Sequence, residues 1–180
     1  AFGWFVESQT SAREERRSVV AVWGAAPASM VAALSRQDRI SIRQGTGLPE
    51  AVKQDLEKGS LTVPKLRPSR EPPQEGARER PDSEIEVDNP VLAAARQAIA
   101  SKQADAVLVV WPGFSDAVER EGLGEVSVYF DSVAPDSMKA RERVADTLEE
   151  YRRNLVAERE RVLGLPAGFA RGLSVLARNT

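Results

Sequence analysis

The sequence contains no cysteine and no histidine. Their absence excludes Ser-His-Asp and Cys-His catalysis, zinc fingers, iron–sulfur ligation, thiol redox chemistry and any disulfide framework. Only carboxylates, Lys, Arg, Ser, Thr and Tyr remain to carry chemistry. An excess of one charge sign is also missing: 25 basic side chains face 27 acidic ones. That near-balance argues against a nucleic-acid binder, which usually displays a basic stripe. No run approaches the ~20 apolar residues of a membrane-spanning helix. What is present is an ordinary globular mixture, 42% hydrophobic and 29% charged. At 180 residues the chain is long enough to hold a core without metals or disulfides. The lack of cysteine does not fix a compartment, because a domain of this size does not need disulfides.

The chain opens Ala1-Phe2-Gly3-Trp4-Phe5-Val6 and turns polar at Glu7. It has neither the basic start nor the small-residue end of a signal peptide. Two readings fit these residues. One is an amphipathic terminus packed on the domain. The other is the last turns of a membrane helix, with Trp4 and Phe5 at interfacial depth.

Further along, Val19 to Trp23 is a short continuous apolar run closed by Gly24, the pattern of a strand buried on both faces. Pro27 opens a helix with Met30, Val31 and Leu34 on one face. Ile40 to Arg43 alternates as a half-buried strand, and Pro49 opens a short helix carrying Val52 and Leu56. Asn89-Pro90 is a strong helix start, followed by a stripe of Val91, Leu92, Ala95, Ala98 and Ile99. Ala104 to Trp111 is the most apolar run and the expected central strand. Pro112-Gly113 turns it into a short helix with Phe114, Ala117 and Val118. In the next strand, Val126, Val128 and Phe130 are expected to face one way.

Pro135 begins the longest element, a helix reaching about Leu163, with Gly164 and Pro166 as stop signals. Leu148, Leu155 and Val162 recur at seven, beside a row of Val144 and Tyr151. Arg141, Glu158 and Arg159 interrupt that seam, so the helix lies along a domain rather than in a coiled coil. A last strand is expected at Leu173 to Ala177. Strands alternating with helices predict an α/β fold, a mixed sheet flanked by helices. The stretch 59–88 differs in character: Pro64, Pro68, Pro72, Pro73 and Pro81 are interspersed with charges of both signs. With few large apolar residues it cannot offset the entropy of ordering, and it reads as a disordered, proline-rich insertion in one domain.

No constellation points to catalysis. Gly45-Thr46-Gly47 and Gly122-Leu123-Gly124 are fragments of a phosphate loop without its remainder, and Gly24-Ala25-Ala26-Pro27 lacks the further glycines. Turns that need a positive φ explain them. The carboxylate pairs Glu14-Glu15, Asp82 to Glu86 and Glu149-Glu150 read as solvated surface rather than as acid–base partners across a cleft. Asp131-Ser132 ends a strand, and Ser132 is a candidate cap for the long helix. The expectation is therefore no catalytic residue, no cofactor site and no metal site.

The run Ala104 to Phe114, with its Pro112-Gly113-Phe114 turn, is followed by Tyr129-Phe130-Asp131-Ser132 and by a long helix containing Tyr151-Arg152-Arg153-Asn154-Leu155 and ending at Gly164-Leu165. This order resembles the extracytoplasmic domain of type-2 ABC exporter permeases, particularly their sodium-efflux-permease-like branch. The resemblance includes Val19 to Trp23 and the helix after it, and leaves out 59–88. Its motifs are structural: a turn, a strand end and a helix register. It implies a non-catalytic domain of the membrane-spanning permease subunit, on the periplasmic or extracellular side, that caps or gates the exit or binds an accessory partner. It also implies an ATPase subunit or domain reached through the membrane part, with ATP hydrolysis belonging to that cytoplasmic unit. The other partners it implies are the membrane itself and an accessory protein or a second copy. On this reading residues 1–12 are a membrane-exit segment and 13–180 the single extracytoplasmic domain.

The rival expectation is a small-molecule-binding sensor or solute-binding ectodomain. It would take its ligand at the carboxyl ends of the central strands near Trp111 and Asp131, in a pocket lined by Trp111, Phe114 and Tyr129. Attachment at both ends makes a geometric demand: the two chain ends must leave on one side of the domain, with Val19–Trp23 and Leu173–Ala177 near neighbours. Limited proteolysis is expected to cut first between Lys65 and Arg80, leaving the two halves associated. Protection of that stretch would show that it is docked.

Overall fold

A computed structural model describes residues 16–63, 89–120, 122–164 and 176–179, the last four by backbone alone. The strands are β1 (Ser18–Trp23), β2 (Ile40–Gln44), β3 (Ala106–Val110), β4 (Val126–Phe130) and β5 (Leu176–Asn179). The helices are α1 (Ala28–Ser35), α2 (Glu50–Glu57), α3 (Pro90–Ala100), α4 (Phe114–Glu119) and α5 (Pro135–Leu163). One five-stranded sheet has the order β2-β1-β3-β4-β5. β2 and β3 run parallel to β1, β4 is antiparallel to β3, and β5 is parallel to β4. The α/β fold with a mixed sheet and one long C-terminal helix is thus the observed architecture.

Two-sided burial decides which segments become strands. All five residues of β3 are buried, as are Val20 to Trp23 of β1. Each buried Val or Leu among them contributes roughly 1.5–3 kcal/mol of apolar burial. Helices must therefore cover both faces. The chain moves outward from β1 to β2 through α1, then back across β1 to β3 through α2 and α3, so the two crossovers lie on opposite faces. On one face Ala21, Trp23, Val107 and Val109 pack against Val52 and Leu56 of α2 and the α3 stripe. On the other, Val20, Val22, Leu108 and Val110 pack against Met30 and Leu34 of α1, Phe114 of α4, and Val144, Leu148 and Tyr151 of α5. Asn89 caps α3 by accepting a 3.0 Å hydrogen bond from Val91 N–H.

Several local expectations change. In β4, Ser127 and Tyr129 are buried as well as Val128 and Phe130, so the side opposite the expected row of Val126, Val128 and Phe130 is covered too. Trp111 fixes one of these: its indole N–H donates to Ser127 Oγ at 2.9 Å. Ser132 does not cap α5; the N-cap position is Ala134, without a side-chain bond, and the Asp131 carboxylate instead accepts from Val133 N–H at 2.9 Å. The last strand lies at Leu176–Asn179, three residues beyond the expected start at Leu173. It is not a near neighbour of β1, since β3 and β4 stand between them. The expected insertion begins late: Leu61 and Val63 are partly buried against the core, and 64–88 lies outside the described residues.

Gly24 closes β1 at φ +87°, and a Cβ there would lie 2.0 Å from the carbonyl oxygen of Val110. Gly45 closes β2 at φ +65° with open space around it. Gly45→Ala is expected to cost only the left-handed penalty of about 1–2 kcal/mol. Gly24→Ala must also push two strand ends apart, and urea denaturation should show it to be clearly the more destabilising of the two. Equal losses would mean that β1 and β3 part freely at this end.

Candidate functional site

The sheet has two unlike ends. At one, β1, β2 and β3 begin and β4 and β5 end; at the other the reverse holds. The register aligns Val20 with Ala106, Ala106 with Phe130, and Phe130 with Asn179. The described chain therefore enters β1 and leaves β5 at the same edge. Across three strand spacings of about 4.8 Å, those points are about 15 Å apart.

A hydrogen-bonded cluster holds this edge together. Buried Ser137, in the first turn of α5, accepts from Asp131 N–H at 2.7 Å and donates to the carbonyl of Asp105. It thus ties the end of β4 and the start of α5 to the approach to β3. Asp105 exchanges bonds with β1: its carboxylate accepts from Val19 N–H at 2.8 Å, and its own N–H donates to Val19 O at 2.7 Å. Arg16 pairs with Asp136 at 2.8 Å and lies 3.7 Å from Asp105. Arg143 donates to Ser18 Oγ at 2.9 Å and to the carbonyls of Arg16 and Arg39 at 2.8 and 3.2 Å. The segment leading into β1 is thereby fastened to the first three turns of α5.

The opposite edge carries two recesses. A crevice of about 270 Å³ lies at the carboxyl ends of β1 and β2, lined by Val22, Gly24, Ala25, Ala26, Gln44 and Gly45. It lies between β1 and β2, one strand away from the β1–β3 boundary where the strand order reverses. The second recess, about 40 Å³, is an apolar groove between α5 and the α4 region, lined by Met30, Phe114, Val118, Leu148, Tyr151 and Leu155 among others. It has room for only a few waters. At about 43 Å, α5 is more than twice the length of a five-residue strand, so its C-terminal third overhangs this edge. There Arg159 donates to Val118 O at 2.6 Å, and Ser29 Oγ and Tyr151 Oη share a 3.0 Å bond. The exposed Glu158 carboxyl is held below its ordinary range by the hydrogen bond from Arg161 and then by that residue's charge. Val162, on the expected seam with Leu148 and Leu155, is 67% exposed.

The aromatics proposed as a ligand pocket do not share a cavity. Trp111 and Tyr129 are buried in the core on one face, and Phe114 in the core on the other. Asp131 and Trp111 lie at opposite edges, because β4 runs antiparallel to β3. Apolar runs do not show strand direction, which is what separates them. Gly45 and Gly47 occupy left-handed turns at φ +65° and +74°. Glu149 pairs loosely with Arg152 at 3.6 Å, and Glu150 is exposed. Glu14-Glu15 and Asp82 to Glu86 lie outside the described residues. Among the described residues, no cluster of three or more acidic side chains could hold a metal ion, and no helix is long and apolar enough to cross a membrane. Residues missed by the sequence reading are Ser137, Asp105 and Arg143, whose long-range partners are 32 to 127 positions away. No family model, curated protein or solved structure matches the chain.

Ser137→Ala leaves Asp131 N–H and Asp105 O without their buried partner and is expected to cost about 1–3 kcal/mol in urea denaturation. Arg16→Ala removes exposed ion pairs and is expected to cost under about 1 kcal/mol. The reverse ranking would place the strength of this edge in its ion pairs.

Proposed function

We propose that this chain is a non-catalytic extracytoplasmic domain of the membrane-spanning permease subunit of an ABC-type exporter. In this role it caps or gates the exit side or binds an accessory partner there. The observation that carries the reading is the common edge at which β1 is entered and β5 is left, about 15 Å apart. A domain held between two membrane helices needs that arrangement, and a module tethered at one end or free does not, although many domains also have close termini. The Ser137–Asp105–Arg143 cluster adds a mechanical link. Displacement of the segment before β1 is passed to α5, whose far end overhangs the opposite edge. A cap can in this way sense its own anchoring.

A second reading, a small-molecule-binding ectodomain, is favoured by the crevice of about 270 Å³ beside Gly24 and Gly45. That volume is near the lower bound of ordinary ligand pockets, about 300 Å³. Its lining offers no charged side chain, so a ligand would be held by backbone groups and Gln44.

Because the chain has no cysteine, one introduced thiol reports its surroundings cleanly. Glu119→Cys, exposed on α4, is expected to react with a membrane-impermeant maleimide in intact cells producing the whole gene product. Reaction only after lysis would overturn the extracytoplasmic assignment.

A further inference from the structure

We infer that the edge where β1 begins and β5 ends is a docking surface for an anionic lipid bilayer. The inference deepens the exporter reading and rests on it for the side of the molecule that meets the membrane. Its charge and its apolar tip stand independently of that reading.

Charge is distributed unevenly between the two ends of the sheet. The turns that gather at this edge are 16–17 before β1, 36–39 between α1 and β2, 101–105 between α3 and β3, and 131–134 between β4 and α5. Arg17, Arg36, Arg39 and Lys102 are all exposed there. Against them stands one fully exposed carboxylate in those turns, Asp38. The remaining carboxylates there are half-buried and have partners. Asp105 accepts from Val19 N–H, Asp131 accepts from Val133 N–H, and Asp136 pairs with Arg16. The next exposed acid, Glu142, is two turns up α5. Around α4, at the opposite edge, the balance is the other way, with Asp116, Glu119 and Glu125 exposed beside Arg120. Among the described residues, exposed cations thus outnumber exposed carboxylates in these turns.

The same edge presents apolar side chains to solvent. Val133 is 86% exposed at the tip of the β4–α5 turn, and Met138 is 49% exposed one turn into α5. The tip is fixed in place: Asp131 holds Val133 N–H at 2.9 Å, and Ser137 holds Asp131 N–H at 2.7 Å. A rigid turn that exposes valine at the same sheet edge as these Arg and Lys side chains gains nothing in water. At a headgroup layer the cations meet anionic phosphates while the apolar tip reaches the acyl boundary. A polyanion such as a nucleic acid would satisfy the cations and leave Val133 idle, which gives the tip its diagnostic value.

The test is co-sedimentation of the chain with vesicles of phosphatidylcholine alone or with about 30% phosphatidylglycerol, a composition that sets up a negative surface potential. Stronger binding to the anionic vesicles is expected, weakened by salt as exposed charges are screened. The pair Arg36→Glu and Arg39→Glu is expected to lower the partition at least about tenfold, and Val133→Asp several-fold. The matched pair Lys58→Glu and Arg120→Glu, away from this edge, is expected to leave it unchanged. Circular dichroism of each variant checks folding, since all five positions are exposed. Equal binding to both vesicle types, or equal losses from the two charge-reversed pairs, overturns the surface. Loss on charge reversal without loss in Val133→Asp also overturns it, in favour of a general polyanion. The maleimide experiment fails separately. A thiol at 119 that reacts only after lysis removes the exporter reading while vesicle binding stands, and insensitivity of the vesicles removes the surface while the exporter reading stands.

Discussion

The direction of β4 decides where everything after it can go. β3 leads into a short excursion through α4 and returns as an antiparallel neighbour, instead of crossing over as β1 and β2 do. Both ends of that reversal are pinned. At the far end the Trp111 indole reaches Ser127, and Trp111 N–H donates to Glu125 O at 3.2 Å. At the near end Ser137 joins Asp131 to Asp105. With β4 running back, α5 must start at the edge where β1 starts and run the full height of the sheet. β5 then descends parallel to β4 and delivers the chain to that same edge. A parallel β4 would have ended at the other edge, and the molecule would have had one chain end at each.

Burial on both faces makes this arrangement stiff. Val20, Ala21, Trp23 and all of β3 are without solvent contact or nearly so. A shift of any covering helix therefore opens space that close-packed neighbours cannot fill. The Gly24 backbone lies against Val110 with no room for a Cβ, which locks the ends of β1 and β3 together at the far edge. α5 rests on this slab through Val144, Leu148 and Tyr151 and then continues past it. Force applied near Arg16 or Asp136 meets a rigid body, so it moves α5 with the sheet instead of bending the helix away from it.

Much of this was legible in the sequence because it depends on local periodicity. The apolar runs at Val19–Trp23 and Ala106–Val110, the Asn89-Pro90 start and the Pro135–Gly164 bounds of α5 follow from burial, capping and backbone preference. What could not be read depends on partners far apart in the chain. Ser132 had the better local credentials as a cap, yet Ser137 holds the turn, because Asp105 is brought beside it by the sheet. The alternation of β4 showed one row, Val126, Val128 and Phe130, but not that α3 and the Trp111 indole cover Ser127 and Tyr129 on the other side. Strand direction left no trace in the residues of β4 at all. That one unknown placed Asp131 beside Trp111 in the sequence reading and at the opposite edge in the fold.

The edge cluster also explains why its carboxylates and cations behave so differently. Asp105 and Asp131 are drawn inward because each satisfies a backbone donor left over at a strand or helix end, Val19 N–H and Val133 N–H, while Asp136 pairs with Arg16 at the surface. Backbone N–H groups at such ends need acceptors, and a short acidic side chain supplies one without lengthening the turn. The backbone offers no corresponding demand for Arg17, Arg36, Arg39 or Lys102, whose long side chains remain exposed. In these turns two of the acids, Asp105 and Asp131, close backbone hydrogen bonds, while Arg17, Arg36, Arg39 and Lys102 stay exposed beside Asp38. The excess of exposed bases there is a consequence of how the chain closes its own hydrogen bonds, and it is what an anionic surface would meet in the proposed docking.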